Sequence, residues 1–110
     1  MGEGAPEQLE IDVQRGPDGP VVVVRGELDA YTLDRLSACL ARVVPEAAGR
    51  ELVLDVRDLS LIDSLGLGLL MRTQQELEAR GGGRMVLVAP TGAVRYVLEV
   101  TGVQDVFEIR

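Results

Sequence analysis

From Leu9 to Arg15 apolar and polar residues alternate, with Leu9, Ile11 and Val13 on one side, and this pattern predicts a half-buried strand. Gly16-Pro17-Asp18-Gly19 supplies turn residues, and Pro20 leads into the unbroken run Val21-Val22-Val23-Val24. The pair reads as a hairpin of an edge strand and a buried strand. An uninterrupted valine run is expected where helices cover both faces of a sheet. Gly26-Glu27-Leu28-Asp29 interrupts that strand, after which Leu33, Leu36, Leu40, Val43 and Val44 recur at helical spacing, with Asp29 or Thr32 as N-cap and an end near Pro45. Leu52-Val53-Leu54-Asp55-Val56 reads as another short buried strand, and Asp58-Leu59-Ser60-Leu61-Ile62-Asp63 as a connection. A helix follows from Ser64 to about Arg80, stopped by Gly81-Gly82-Gly83. Met85-Val86-Leu87-Val88-Ala89 is a strand closed by Pro90. Thr91 caps a third helix with the stripe Val94, Val97, Leu98 and Thr101 and with Gly102 as left-handed terminator. Val106-Phe107-Glu108-Ile109 adds a last short strand.

The order β-β-α-β-α-β-α predicts an α/β fold, a mixed sheet of roughly four to five strands whose later members are parallel and joined by right-handed crossovers. A chain of 110 residues fits one core. Residues 1–8 mix Gly, Pro and Glu without periodicity and are expected to form a flexible tail ahead of a domain spanning 9–110. In this topology the turns Glu27–Thr32 and Ile62–Gly66 both leave the C-terminal ends of parallel strands. They are predicted to share the edge where open α/β sheets place their sites.

Composition narrows the chemistry. With 11 basic and 18 acidic residues the net charge is −7 and the pI near 4.5, a field that repels phosphate backbones and anionic membranes, so neither nucleic acid nor membrane is expected as a partner. Every basic residue is Arg; without Lys or His the chain lacks the usual general base, the Schiff-base amine, Ser-His and Ser-Lys pairs and any His metal site. Neither an enzyme nor a cofactor is expected. Cys39 is the only cysteine, which excludes an internal disulfide or a thiolate zinc site, and its place at the margin of the first helix's stripe reads as small and semi-buried. Nothing like a signal peptide follows Met1 and no apolar run nears the roughly 20 residues of a membrane helix, so a cytoplasmic protein is expected. Gly66-Leu67-Gly68 is only a fragment of a dinucleotide fingerprint, and Gly81-Gly82-Gly83 precedes a strand instead of opening a helix. Asp55, Asp58 and Asp63 match no calcium-loop spacing and read as solvated turn carboxylates.

Ser64 stands where a connection meets a helix, and by position alone it reads as an N-cap. Gly66 and Gly68 in the first turn run against that reading: each sacrifices about 1 kcal/mol of helix propensity relative to Ala, and together they clear side chains from around the hydroxyl, as close approach by another molecule requires. Projection at 100° per residue puts Leu67, Leu70, Met71, Gln74, Leu77 and Glu78 on one side of the helix, and Leu65, Leu69, Arg72 and Glu76 on the other. If the first set packs on the sheet, Leu65 and Leu69 either face water as part of a protein-binding edge or lie under a neighbouring helix. Tyr31 is expected to be exposed near the same edge. A phosphate on Ser64 would meet free amides and the positive end of a helix dipole, so the fold would survive it. The added charge would land beside Asp63, near Asp29 and Glu27, and make the edge harder to desolvate against a partner.

At Gly26-Glu27-Leu28-Asp29 followed by Leu59-Ser60-Leu61-Ile62-Asp63-Ser64-Leu65-Gly66-Leu67-Gly68, the sequence resembles a STAS domain of the bacterial anti-sigma-factor antagonists, over about Leu9 to Phe107. The resemblance implies partner switching: the unmodified antagonist binds an anti-sigma factor that is also a serine kinase, and the captured kinase releases its sigma factor. It implies that the kinase phosphorylates the serine matching Ser64, which ends binding, and that a metal-dependent serine phosphatase restores it. Asp63 and Gly66 match the motif around that serine, and Asp29 the acidic residue of the neighbouring loop. The position after the serine, commonly a second hydroxyl residue in the family, is Leu65 here. Members often continue into a further C-terminal helix beyond the point matching Arg110. The competing reading is a constitutive STAS scaffold or adaptor subunit of a transport or signalling assembly, in which Ser64 is only a cap and the Leu65–Leu69 edge docks permanently.

Overall fold

The computed structural model describes residues 8–110. The elements are β1 (Leu9–Gly16), β2 (Gly19–Leu28), α1 (Leu33–Val43), a 3-10 turn at Val44–Ala47, β3 (Glu51–Ile62), α2 (Ser64–Ala79), β4 (Arg84–Val88), α3 (Gly92–Val100) and β5 (Glu108–Ile109). The sheet runs β1-β2-β3-β4-β5; β1 and β2 are an antiparallel hairpin, and every later pair is parallel. Of the expected tail only Gln8 lies within the described residues, and its carbonyl accepts the Glu27 N–H at 2.7 Å.

Each parallel strand is laid beside the one before it, always in the same direction. Right-handed crossovers then carry all three helices to the same side of the sheet. A single core records this: Leu36, Leu40 and Val43 of α1, Leu67, Leu70 and Leu77 of α2, and Val94 and Leu98 of α3 meet Val22, Val24, Leu52, Leu54, Met85 and Leu87 of the strands. The valine run is therefore not covered on both faces. Val22 and Val24 are buried, whereas Val21 and Val23 point to the face without helices and are half-buried.

Residues 58–62, expected as a connection, continue β3, a strand of 12 residues. They pair with the far end of β2 through Gly26↔Leu59, Glu27↔Leu61 and Leu28↔Ile62, after register shifts between Val23 and Arg25 and between Gly26 and Glu27. Those irregularities break the alternation by which strands are recognised. At the second of them Gly26 has φ +106°, and a Cβ there would stand 2.2 Å from the Gln8 carbonyl oxygen. Glycine lets the hairpin close against β1.

The helix ends follow local chemistry. Thr91 Oγ1 accepts the Val94 N–H at 3.3 Å, and Gly102 has φ +72° at the far end of α3. Of the stripe expected there, Val94 and Leu98 are buried, Val97 is half-buried and Thr101 is exposed, because α3 presses only a narrow face on the sheet. Cys39 is fully inside the α1 stripe, and the last strand is shorter than expected, with Val106 and Phe107 outside it. Among the described residues no helix is long and apolar enough to cross a membrane.

Candidate functional site

The two turns at the C-terminal ends of β2 and β3 are joined directly: the Asp63 N–H donates to the Leu28 carbonyl at 3.1 Å. The β2 turn is rigid. Asp29 Oδ1 accepts the N–H groups of Tyr31 at 2.9 Å and Thr32 at 3.2 Å. The buried Thr32 hydroxyl donates to the Glu27 carbonyl at 2.8 Å and accepts the Asp29 N–H at 3.0 Å. Thr32 precedes α1 but makes no capping bond to it; its hydroxyl is spent inside the turn. The product is a fixed loop that holds Tyr31 in solvent, 89% exposed.

The β3 turn differs from expectation at its centre. Asp63, in extended conformation, is the N-cap of α2, its Oδ1 accepting the Gly66 N–H at 2.9 Å. Ser64 is the first helical residue and does not cap. Both residue types cap well, but Asp63 has the extended backbone and the three-residue spacing that the bond requires. Ser64 is consequently exposed, and among the described residues its hydroxyl has no hydrogen-bond partner.

The glycines serve packing. A Cβ on Gly66 would lie 2.7 Å from Leu28 Cγ and 3.1 Å from Ile62 Cγ1, so Gly66 seats the first turn of α2 flush on the strand ends and does not clear space around Ser64. Gly68 is half-buried, and the Arg72 guanidinium lies over it, Nη1 being 3.3 Å from where its Cβ would stand.

Leu65 and Leu69 separate. Leu65 is 50% exposed beside Ser64, whereas Leu69, at 7%, turns under α1. It helps line a groove of about 240 Å³ with Leu40, Val44 and Thr73, rimmed by Arg72 and Glu76. Leu69 is therefore not part of an exposed edge: α2 packs on α1 as well as on the sheet, so its buried arc is wider than one sheet-facing stripe. Thr73 and Gln74 fall inside that arc, while Glu78 is outside it. Gln74 is useful there, its Oε1 accepting the Met85 N–H at 2.8 Å.

Leu61 was not singled out by the sequence pattern, yet it is 43% exposed. Simple alternation from the buried Leu59 would have turned it inward; the register shift between Gly26 and Glu27 leaves Ser60 and Leu61 both exposed and returns Ile62 to the core. Tyr31, Leu61 and Leu65 thus place three large apolar groups on the edge that carries Ser64, with Glu27 exposed and Asp29 and Asp63 half-buried among them. Asp55, Asp58 and Asp63 are engaged separately: Asp55 Oδ1 accepts the Arg57 N–H, Asp58 pairs with Arg25 at 3.7 Å, and Asp63 caps α2.

A mixed sheet with its helices gathered on one face, and an unengaged serine opening the helix after β3, define a domain of the STAS class. The sequence model described as the STAS domain matches residues 9–110, and the chain belongs to that family. It is 31% identical over 97 residues to an anti-sigma-B factor antagonist of Listeria monocytogenes, covering 88% of this chain and 83% of the relative. The fold is similar to the crystal structure of an anti-sigma factor antagonist from Mycobacterium paratuberculosis, with a TM-score of 0.82, 28% identity and coverage of 97% of this chain and 89% of the other. It is also similar to the phosphorylated form of the Bacillus cell fate determinant SpoIIAA, with a TM-score of 0.66, 26% identity and coverage of 92% and 91%.

Proposed function

We propose that this protein is a bacterial, cytoplasmic anti-sigma-factor antagonist. In its unphosphorylated form it binds an anti-sigma serine kinase, which then releases a sigma factor. Transfer of the γ-phosphoryl group of ATP to Ser64 Oγ, with ADP leaving and the hydroxyl proton passing to the kinase, ends the association. A serine phosphatase reverses it. The observation that carries this reading is the Asp63 cap, which leaves the Ser64 hydroxyl exposed and without an internal partner. Kinship to proteins named as antagonists, and similarity to SpoIIAA in its phosphorylated form, support it.

The physical basis is local. Tyr31, Leu61 and Leu65 supply apolar area for docking, and Tyr31, the amphipathic aromatic group among them, is of the type that commonly anchors interfaces. A phosphate brings about −2 charges to a position flanked by Asp63 and, across the joined turn, Asp29 and Glu27. Desolvating that cluster against a partner costs several kcal/mol per unpaired ion, which exceeds what the rim of an interface returns. The fold itself tolerates the group, because a helix N-terminus favours negative charge. Incubation with the cognate kinase and ATP, followed by mass-spectrometric mapping, is expected to place the phosphate on Ser64; equal labelling of Ser64→Ala would overturn the assignment.

A further inference from the structure

Ser64, Gly68 and Arg72 stand on one face of α2 at successive intervals of four residues. Long side chains on a helix lean toward its N-terminus, and Arg72 follows this rule, its guanidinium reaching back over Gly68. The charge is thereby delivered about one turn, or roughly 6 Å along the axis, from Ser64. A side chain at position 68 would obstruct that lane, since Nη1 already lies 3.3 Å from the Cβ position. Nearby carboxylates do not claim the guanidinium. Glu76 pairs with Arg80 at 3.1 Å, Asp63 is occupied by the Gly66 N–H, and Arg72 forms no ion pair among the described residues.

A phosphoryl group extends two bonds beyond the Ser64 oxygen, toward a cation already held one turn away. Resting on the functional reading above, we propose that Arg72 is the intramolecular counter-ion of a phosphate on Ser64, donating from its guanidinium to the phosphoryl oxygens across Gly68. Arg suits this role better than a point charge, because its planar fork matches two phosphate oxygens at once. The modified serine is then held against its own helix, and Arg72, free to meet a partner in the unmodified protein, is withdrawn by the same event. The acidic groups Asp63, Asp29 and Glu27 oppose the phosphate in every variant alike.

The test uses the full chain with phosphoserine incorporated at position 64 by genetic encoding, so that no kinase is involved. Phosphorus NMR follows the second ionisation of the phosphate in this chain and in its Arg72→Gln counterpart. The pH midpoint is expected to rise by about 0.5 when the guanidinium is removed, a modest change appropriate to a solvent-exposed pair. The Arg72 Nε–H resonance is expected to titrate with the same midpoint in the otherwise wild-type chain. Equal midpoints with and without Arg72, or an Arg72 resonance indifferent to the phosphate, would overturn the inference. Failure of a kinase to label Ser64 would strike the functional reading instead and leave this comparison intact.

Discussion

Asp63 Oδ1 accepts the backbone N–H of Gly66 at 2.9 Å, and this one bond leaves the intervening Ser64 hydroxyl without a structural duty. The two side chains are thereby separable by mutation. Loss of an N-cap costs about 1 kcal/mol, while surface changes away from such features stay within about 0.5 kcal/mol. In urea denaturation Asp63→Ala is expected to lose about 1 kcal/mol, with Asp63→Asn retaining most of the stability, since Asn caps equally well. Ser64→Ala is expected to unfold with the wild-type midpoint. A destabilised Ser64→Ala beside an unaffected Asp63→Ala would show the cap to be the serine after all.

The two glycines of α2 predict opposite signs for one substitution. Alanine gains about 1 kcal/mol over glycine inside a helix. At Gly66 that gain meets Leu28 Cγ at 2.7 Å and Cδ2 at 2.9 Å, and overpacking of this kind costs about 1–3 kcal/mol, so Gly66→Ala is expected to be destabilising overall. At Gly68 the nearest obstacle is the flexible end of Arg72 at 3.3 Å, which can swing aside. Gly68→Ala is expected to raise the thermal midpoint by a few degrees, and calorimetry of the pair decides the matter.

The same contrast shows what the sequence disclosed. Element order was legible because Leu33, Leu36, Leu40 and Val43 keep a helical period and Leu9, Ile11 and Val13 keep a period of two, each set facing one core. The end of β3 was not, because the register shifts opposite Arg25 and Glu27 move Leu59, Leu61 and Ile62 out of simple alternation. The half-exposed Val21 and Val23 could not be told from Val22 and Val24, since a valine run does not reveal on how many sides helices will lie. At the site, the motif brought Asp63, Ser64 and Gly66 to attention. Assigning the cap required ψ near 180° at Asp63, and the fate of Leu69 required knowing that α1 lies beside α2.

An acid-sensitive lattice lies at the opposite end of the sheet from Ser64. Glu108 accepts from Arg110 Nε at 2.5 Å and from Arg84 Nη1 at 2.6 Å, and Arg110 also reaches Glu51 at 2.7 Å. The hydrogen bond from Arg110 leads in holding the Glu108 carboxyl below its ordinary value of 4.5, against the opposing effect of desolvation, with Arg84 adding to it. A carboxyl whose folded value is depressed stabilises the fold above its unfolded value and loses that contribution as pH falls through the folded one. Wild-type stability is therefore expected to fall more steeply than that of Glu108→Gln below about pH 4.5, and high salt should narrow the difference because the pairs are exposed. Urea midpoints for both chains across this range provide the check; parallel curves would remove Glu108 from the account.

Docking and folding are expected to respond independently at the Ser64 edge. Ser64→Asp adds one negative charge to the first turn of α2, where the helix dipole makes it neutral to favourable by about 0.3–1 kcal/mol, so the thermal midpoint should hold or rise slightly. The same charge sits among Asp63, Asp29 and Glu27 and must be desolvated when a kinase docks, which is expected to weaken binding at least about tenfold. Tyr31→Ala separates the apolar contribution from the electrostatic one. At 89% exposure Tyr31 contributes nothing to the core, so its removal should leave stability unchanged, while a buried interface anchor is worth about 2 kcal/mol or more. Titration calorimetry against the kinase at two salt concentrations distinguishes the mechanisms. The deficit of Ser64→Asp should carry the salt dependence and that of Tyr31→Ala should not; equal affinity of Ser64→Asp and wild type would leave the charge mechanism without support.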